Sequence, residues 1–117
     1  MSAVARYRKD QVETATRPRI MVMLFEKALS CMALAQKSVD AREYERLLSR
    51  SCDIVIELQR SLDPQHEEVL CKTLDGLYSF VLQRLFEARR TRDNKKVVDA
   101  HRALAPIADA FAQAIAL

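Results

Sequence analysis

The chain has 117 residues and a formal net charge of +3, and half of its residues are hydrophobic. A chain of this length forms one domain that can bury a sizeable core without metal ions or disulfides. The single Gly and three Pro leave little material for tight turns, which favours an all-α chain over one with β-hairpins. The small net charge gives no reason to expect a nucleic-acid partner unless cations are focused on one face.

The cysteines Cys31, Cys52 and Cys71 are scattered along the chain and form no Cys-x-x-Cys pair. An odd, scattered set of cysteines is typical of reduced thiols in a cytosolic protein. The first residues, MSAVARYRKDQVETATR, contain no apolar core segment, so no signal peptide is predicted. We therefore expect a cytoplasmic protein that does not insert into membranes.

Residues 1–15 alternate charged and small residues, and only Val4, Tyr7 and Val12 offer larger apolar side chains. This pattern predicts a mobile N-terminal tail that docks loosely on the rest of the protein. The bundle domain is expected to occupy residues 16–117.

The first helix is predicted to start after an N-cap at Thr16 and to run to about Val39, with Pro18 in its first turn. Its central run, IMVMLFEKALSCMALA, is apolar over most of its circumference, whereas a surface helix needs an apolar face only a little wider than ~100°. Two apolar stripes result. The first, with the 3-4 spacing of a bundle seam, consists of Met21, Leu24, Ala28, Cys31 and Ala35. The second, which is expected to need a further cover, consists of Val22, Phe25, Leu29 and Met32.

The second helix is predicted at about Ala41–Leu62, capped by Asp40 and stopped by Asp63-Pro64. The third begins near Gln65–Glu68 and ends among arginines that complement the helix dipole. Gly76 lies in the middle of this third helix, as a close-packing point or as a tolerated residue that costs ~1 kcal/mol relative to Ala.

The fourth helix is predicted to begin after Asp93 or Asn94 and to run to about Ala116. Pro106 lies inside it and is expected to kink or split the helix, because proline lacks the backbone N–H that a helix interior needs. Four helices of similar length joined by short loops predict an antiparallel up-down four-helix bundle.

The residues that could support catalysis or bind a metal are better explained as structural residues. A di-iron bundle needs Glu-x-x-His motifs, and the sequence contains none. The cysteines lie in register with apolar stripes, as small core hydrophobes do, and lack the short spacing of a zinc site. We therefore expect no cofactor, no metal and no enzymatic activity.

Two further features leave alternatives open. Ala100–Leu104 is similar to the histidine-bearing segment of phosphotransfer bundles, so a signalling bundle that uses His101 is the alternative function. Cations are concentrated at the turn between the third and fourth helices, where a solvated helix junction is favoured over a nucleic-acid site because aromatic stacking partners are lacking. These cations are Arg84, Arg89, Arg90, Arg92, Lys95, Lys96 and Arg102.

Five groups of residues recur in the same order and with compatible spacing in one known family. They are Tyr7 with Val12–Thr16, Met23–Glu26 with Ala28, Ile54–Asp63, Leu74–Phe80 followed by Arg84-Leu85 and Ala88, and Asp109–Phe111. Taken together, these segments resemble the FliS family of flagellar secretion chaperones. The resemblance implies a cytosolic export chaperone that binds the disordered C-terminal region of flagellin, prevents premature polymerisation and keeps flagellin competent for type III secretion.

The resemblance also implies which surfaces are used. The tail is expected to dock on the bundle when the protein is empty, and client helices are expected to replace it in apolar grooves. The flagellar export apparatus is a further expected partner, and the protein is expected to be a monomer or a weak homodimer. The predicted client-binding residues are Tyr7, Val12, Val22, Phe25, Leu29, Ile54, Leu58, Leu62, Leu77, Tyr78 and Val81.

Overall fold

A computed structural model of the protein describes residues 16–116, so the predicted tail and Leu117 lie outside the described residues. The described chain is all-α. Its helices are α1 (Arg17–Lys37), α2 (Ala41–Arg60), α3 (Glu68–Thr91) and α4 (Asn94–Ala116). Each predicted helix is present, although α1 and α2 end two residues before the predicted ends at Val39 and Leu62.

Side-chain caps determine where three of the helices begin. The Arg19 backbone N–H donates to Thr16 Oγ1 at 3.3 Å, and the Arg42 N–H donates to Asp40 Oδ1 at 3.0 Å. Asp93 caps α4 in the same way, because its Oδ1 accepts from the Lys95 N–H at 2.9 Å. These bonds satisfy amide groups that have no partner within their own helix.

The turn between α3 and α4 is closed by Arg92, whose φ of 59° places it in the left-handed region. A non-glycine residue is uncommon there, and the side chain of Arg92 makes contacts that fix its position. Its guanidinium donates to the Val39 carbonyl at 3.0 Å and lies 5.3 Å above the ring of Tyr44. Arg92 thereby ties this turn to the turn between α1 and α2.

The helices form an antiparallel up-down four-helix bundle, as predicted. Each helix packs against two neighbours: α1 and α3 both contact α2 and α4. We call the end of the bundle that carries Arg17, Arg60, Glu68 and Ala116 the lower end. The opposite end, with the α1–α2 and α3–α4 turns, is the upper end.

The expected division of α1 into a core seam and an uncovered second stripe is wrong. Phe25 and Met32, which were assigned to the second stripe, are fully buried together with Ala28 and Ala35. Leu24, which was assigned to the seam, remains partly exposed. Because α1 packs against two helices at once, its buried sector is wide and is centred between the two stripes.

The expected effect of Pro106 on α4 is wrong in one respect, because the helix is not split and runs through it from Asn94 to Ala116. Pro106 and Arg102 are both exposed. The Arg102 carbonyl, which loses its helical donor at Pro106, therefore lies on the solvent side, where water can replace the missing N–H.

Gly76 does not serve as a close-packing point within the described residues. A Cβ atom added at this position would meet no atom of residues 16–116 within 4 Å. Of the two predicted interpretations, the fold supports a glycine that α3 tolerates on an exposed face.

Three buried hydroxyl groups differ in how they are satisfied. Ser51 Oγ donates to the Ala28 carbonyl at 3.0 Å, and Tyr44 Oη donates to the Ala88 carbonyl at 3.4 Å. The hydroxyl of the fully buried Tyr78 has no hydrogen-bond partner among the described residues. Its burial raises the pKa of Tyr78 to about 12, because the phenolate would lose its hydration.

We expect Tyr78→Phe to raise the free energy of unfolding by about 0.5–1 kcal/mol, because it removes a buried polar group that lacks a partner. Tyr44→Phe is the matched control, and it should lower stability by about 0.5–1 kcal/mol because it removes a hydroxyl that is hydrogen-bonded. Urea denaturation of the three proteins measures both effects. A loss of stability in Tyr78→Phe larger than that in Tyr44→Phe would contradict the assignment.

Alkaline pH provides a second test of the same hydroxyl. The unfolded chain releases the Tyr78 proton near pH 10 and the folded chain only near pH 12, so ionisation favours unfolding as the pH rises between these values. The wild-type protein should therefore lose about 2 kcal/mol more than Tyr78→Phe between pH 9 and pH 12. If the free energy of unfolding falls equally with pH in the two proteins, ionisation of Tyr78 is not the cause of the loss of stability.

Candidate functional site

The structure distributes the predicted client-binding residues over three environments. Phe25, Ile54, Leu58, Tyr78 and Val81 are buried in the core. Those that are half-buried at the edges of the core are Val22, Leu29, Leu62 and Leu77. Tyr7 and Val12 lie outside the described residues.

A client cannot touch the buried members of this set in the arrangement that the structure describes. The half-buried members remain partly accessible, and Leu62 lines a depression between α2 and α3. A binding surface must therefore be sought among apolar side chains that remain accessible between or on the helices.

A strongly apolar depression lies between α3 and α4 near the lower end, and we call it the α3–α4 groove. It is an open groove of about 270 Å³, lined by Leu70, Leu74, Ile107, Ala110, Phe111 and Ala114. The side chain of Leu74, at its floor, is 9% exposed, and that of Leu70, at its rim, is 49% exposed. The groove therefore combines a fixed floor with an accessible apolar wall.

Helical spacing explains why this groove exists. Leu70, Leu74 and Leu77 follow one another at intervals of four and three residues, so they form a continuous strip along α3. On the α4 side, Ala110 and Ala114 are four residues apart, and their small side chains leave room beside the strip. Phe80, which is 39% exposed, extends the apolar surface of α3 upward and carries the guanidinium of Arg84 at 5.1 Å from its ring.

None of the six residues that line this groove is among the predicted client-binding residues. The prediction from sequence placed the client grooves on the first three helices, and on α3 it named Leu77, Tyr78 and Val81. The signal that could have revealed the groove is the pairing of Ala110 with Ala114 beside Phe111, a spacing that leaves space for a neighbouring helix.

A second apolar surface covers the outer face of α1 at the lower end. It is a shallow depression of about 560 Å³ lined by Ile20, Met23, Leu24, Glu26, Lys27 and Ser30. Met23 is 61% exposed there, whereas Met32 of the same helix is fully buried. Part of the predicted excess of apolar surface on α1 is therefore real, but it lies at Ile20 and Met23 and not at Phe25.

His101 lies half-buried in a groove between α1 and α4, where Ala33 and Val98 line the walls together with Lys37 and Arg102. A phosphotransfer histidine must project from an exposed helix face so that a partner domain can reach its ring. The position of His101 within a groove does not provide such a surface.

Carboxylates partly neutralise the predicted basic cluster at the upper end. Glu87 accepts contacts from Arg84 at 3.6 Å and from Lys96 at 3.2 Å, and Glu45 accepts a hydrogen bond from Arg89 Nε at 3.0 Å. The Glu45 carboxylate raises the pKa of Arg89 through this bond. The cluster therefore serves as a junction that joins helices.

The thiols have the environment of core residues. Cys31 and Cys52 are buried, and the half-buried Cys71 donates to the Asp63 carbonyl at 3.2 Å. Burial raises the pKa of the Cys52 thiol, which keeps it protonated and unreactive.

In the part of the chain that the structure describes, no three His, Cys, Asp or Glu side chains are grouped to hold a metal ion. None of the four helices, as far as residues 16–116 extend, is long and apolar enough to cross a membrane.

Comparison with known proteins relates the chain to one family. The model of the family described as "Flagellar protein FliS" matches residues 1–117, the whole chain. The flagellar secretion chaperone FliS of Escherichia coli (strain K12) is 27% identical over 111 residues, covering 92% of this chain and 82% of that protein. The flagellar secretion chaperone FliS of Bacillus subtilis (strain 168) is 26% identical over 112 residues, covering 93% and 83%.

A match of the whole chain to the model of one family of flagellar proteins defines the class of this protein. The chain belongs to the FliS family. Chaperones of this family are not enzymes, and nothing in the comparisons supports the phosphotransfer alternative.

The floor and the rim of the α3–α4 groove should respond differently to truncation. Leu74→Ala should lower the free energy of unfolding by about 2–4 kcal/mol, because it opens a cavity in the core. Leu70→Ala, the matched variant one turn away, should lower it by less than about 1 kcal/mol, because Leu70 is half-exposed already. Equal losses in chemical denaturation would show that the rim of the groove is closed in solution.

Proposed function

We propose that this protein is a cytoplasmic export chaperone that binds the C-terminal region of flagellin, prevents its premature polymerisation and keeps it competent for type III secretion. The single observation that carries the proposal is the match of the whole chain to the FliS family. The names of the relatives in Escherichia coli and Bacillus subtilis, which are flagellar secretion chaperones, support the same role.

The α3–α4 groove supports helix-in-groove recognition. An amphipathic helix buries one apolar stripe, and Leu70, Leu74 and Phe111 offer an apolar channel of matching form. Ala110 and Ala114 let the backbone of a docked helix approach α4 closely. A client segment that folds on binding has to offset an ordering cost of ~2–5 kcal/mol, which requires an extended apolar surface.

Further apolar surfaces allow the client to extend beyond one groove. In this proposal the half-buried residues Val22, Leu29, Leu62 and Leu77 contact the client directly. Phe25, Ile54, Leu58, Tyr78 and Val81 support these contacts from the core below. Ile20 and Met23 on the outer face of α1, which are 44% and 61% exposed, add a contact surface at the same end of the bundle.

The role assigned to the N-terminal tail is part of the proposal. Tyr7 and Val12 cover apolar surface when the chaperone is empty, and client helices replace them. In its chaperone role the protein delivers the bound flagellin to the flagellar export apparatus. It acts as a monomer or a weak homodimer. The proposed chemistry is non-covalent throughout.

Titration with the C-terminal segment of a flagellin encoded in the same genome tests the proposal. We expect micromolar or tighter binding by calorimetry, together with a gain of helical circular dichroism as the client folds. Ala110→Leu should weaken binding by about tenfold, because the larger side chain fills the α3–α4 groove without disturbing the core.

Ala41→Leu is the matched control, since Ala41 is an exposed alanine at the upper end of the bundle. This variant should bind the flagellin segment as the wild-type protein does. If the wild-type protein shows no binding at micromolar concentrations, the chaperone proposal is wrong. If both variants bind equally well, the α3–α4 groove is not the client site.

A further inference from the structure

The two halves of α4 are held in the bundle with different strength. In the first half, Val97, Ala100 and Leu104 are fully buried. After Pro106, only Ala108 belongs to the buried core, and Ile107 and Phe111 are packed against it while partly exposed. Local stability follows the number of buried apolar contacts, so residues 107–116 form the weakly held part of the helix.

Pro106 separates these two halves. Because proline has no N–H, the Arg102 carbonyl receives no helical hydrogen bond, and the proline ring crowds the preceding turn. Pro106 lies on the exposed face, where a bend needs no rearrangement of core side chains. The helix is continuous at this point. The turn at Pro106 nevertheless has one backbone hydrogen bond fewer than an ordinary helical turn, so it bends more easily.

The weakly held half covers the centre of the lower core. The ring of Phe111 lies 5.3 Å from the ring of Phe25, which in turn lies 6.5 Å from the ring of Tyr78. Phe111 and Ile107 also line the α3–α4 groove together with Leu74, its floor, and both pack against the core to which Leu74 belongs. Movement of residues 107–116 away from the bundle would uncover Phe25 and Leu74 together.

We propose that residues 107–116 form a lid, hinged at Pro106, that closes over Phe25 and Leu74 in the empty protein and swings outward, which widens the α3–α4 groove for a client helix that docks between the lid and α3. The identity of the occupant rests on the proposed function, whereas the lid itself does not. A docked amphipathic helix would take over the apolar contacts that Phe111 makes with Phe25. The lid gives a route by which a client reaches predicted contact residues that are buried in the closed bundle.

Hydrogen exchange of the full chain, without a client, tests the hinge. Amides within residues 110–116 should exchange as one cooperative unit, with a step in protection at Pro106, because a helix of about ten residues does not keep its hydrogen bonds once it leaves the bundle. Pro106→Ala restores the missing hydrogen bond and should raise the protection of this unit by on the order of 10- to 100-fold. Protection of α1, α2 and α3 should change little by comparison.

Ordinary fraying of the end of α4 is the competing explanation, and a matched control separates it from a lid. Gln113→Ala raises helix propensity at an exposed site within the lid and should change protection by less than about threefold. A smooth gradient of protection toward Ala116, unchanged in Pro106→Ala, would mean that the helix frays and that Pro106 is not a hinge.

Titration with the flagellin segment then tests the use of the lid. If the client binds only the open form, Pro106→Ala should weaken its affinity by the same factor as it raises protection. Equal affinities in the two proteins, despite slower exchange in the variant, would overturn the lid as the entry route. Failure of the wild-type protein to bind the segment would refute the proposed client and leave the exchange result as an independent test of the hinge.

Discussion

The packing of Phe25 at the centre of the bundle is the constraint on which the lower half of the structure depends. Its ring contacts an aromatic residue from each of two other helices, Tyr78 of α3 and Phe111 of α4. The residue therefore joins α1 to its neighbour α4 and, across the bundle axis, to α3. Aromatic pairs of this kind add about 0.5–1.5 kcal/mol beyond the burial of their area. The relative positions of the grooves follow from where these three rings meet.

Polar contacts join the helices at both ends of the bundle. At the upper end, the Arg89–Glu45 and Lys96–Glu87 pairs and the bond from Arg92 to the Val39 carbonyl connect turns and helices. At the lower end, Gln59 Nε2 donates to Asp75 Oδ1 at 2.9 Å and joins α2 to α3. Large apolar side chains are exposed at both ends as well: Ile20, Met23, Val69, Leu70 and Ile115 at the lower end, and Leu34, Val39 and Phe86 at the upper end. The α3–α4 groove and the depression on α1 both lie toward the lower end because apolar side chains are grouped there between and on the helices.

Local chemistry made most of the fold predictable from the sequence. The caps Thr16, Asp40 and Asp93 are short-range devices, and each of them starts its helix where the sequence indicated. The turn at Asp63-Pro64 is equally local. Features that depend on a single residue and its near neighbours can be predicted without knowledge of the partner helices.

The assignment of faces could not be predicted in the same way. A strict 3-4 repeat drifts by ~20° per heptad on a straight helix, so the stripe from Met21 to Ala35 does not stay centred on the core. Phe25 was therefore placed outside the core, although it lies fully inside. The α3–α4 groove could not be predicted for the same reason. Ala110 lines it only because of how α4 is rotated in the bundle, and the sequence pattern does not determine that rotation. Periodicity identifies a face, but only packing decides which neighbour it meets.

Two features of the structure bear on the balance between the closed bundle and the proposed open state. Pro106 removes a backbone hydrogen bond from α4 at the position of the proposed hinge. The Tyr78 hydroxyl is buried without a partner among residues 16–116, and an unsatisfied buried group costs about 1–3 kcal/mol. In the proposed mechanism, opening of the lower core would let water satisfy this hydroxyl, which would lower the free energy of the open state relative to the closed one. A client shifts such an equilibrium only by its difference in affinity for the two states, so a small free-energy gap would favour the proposed exchange of an internal cover for a client.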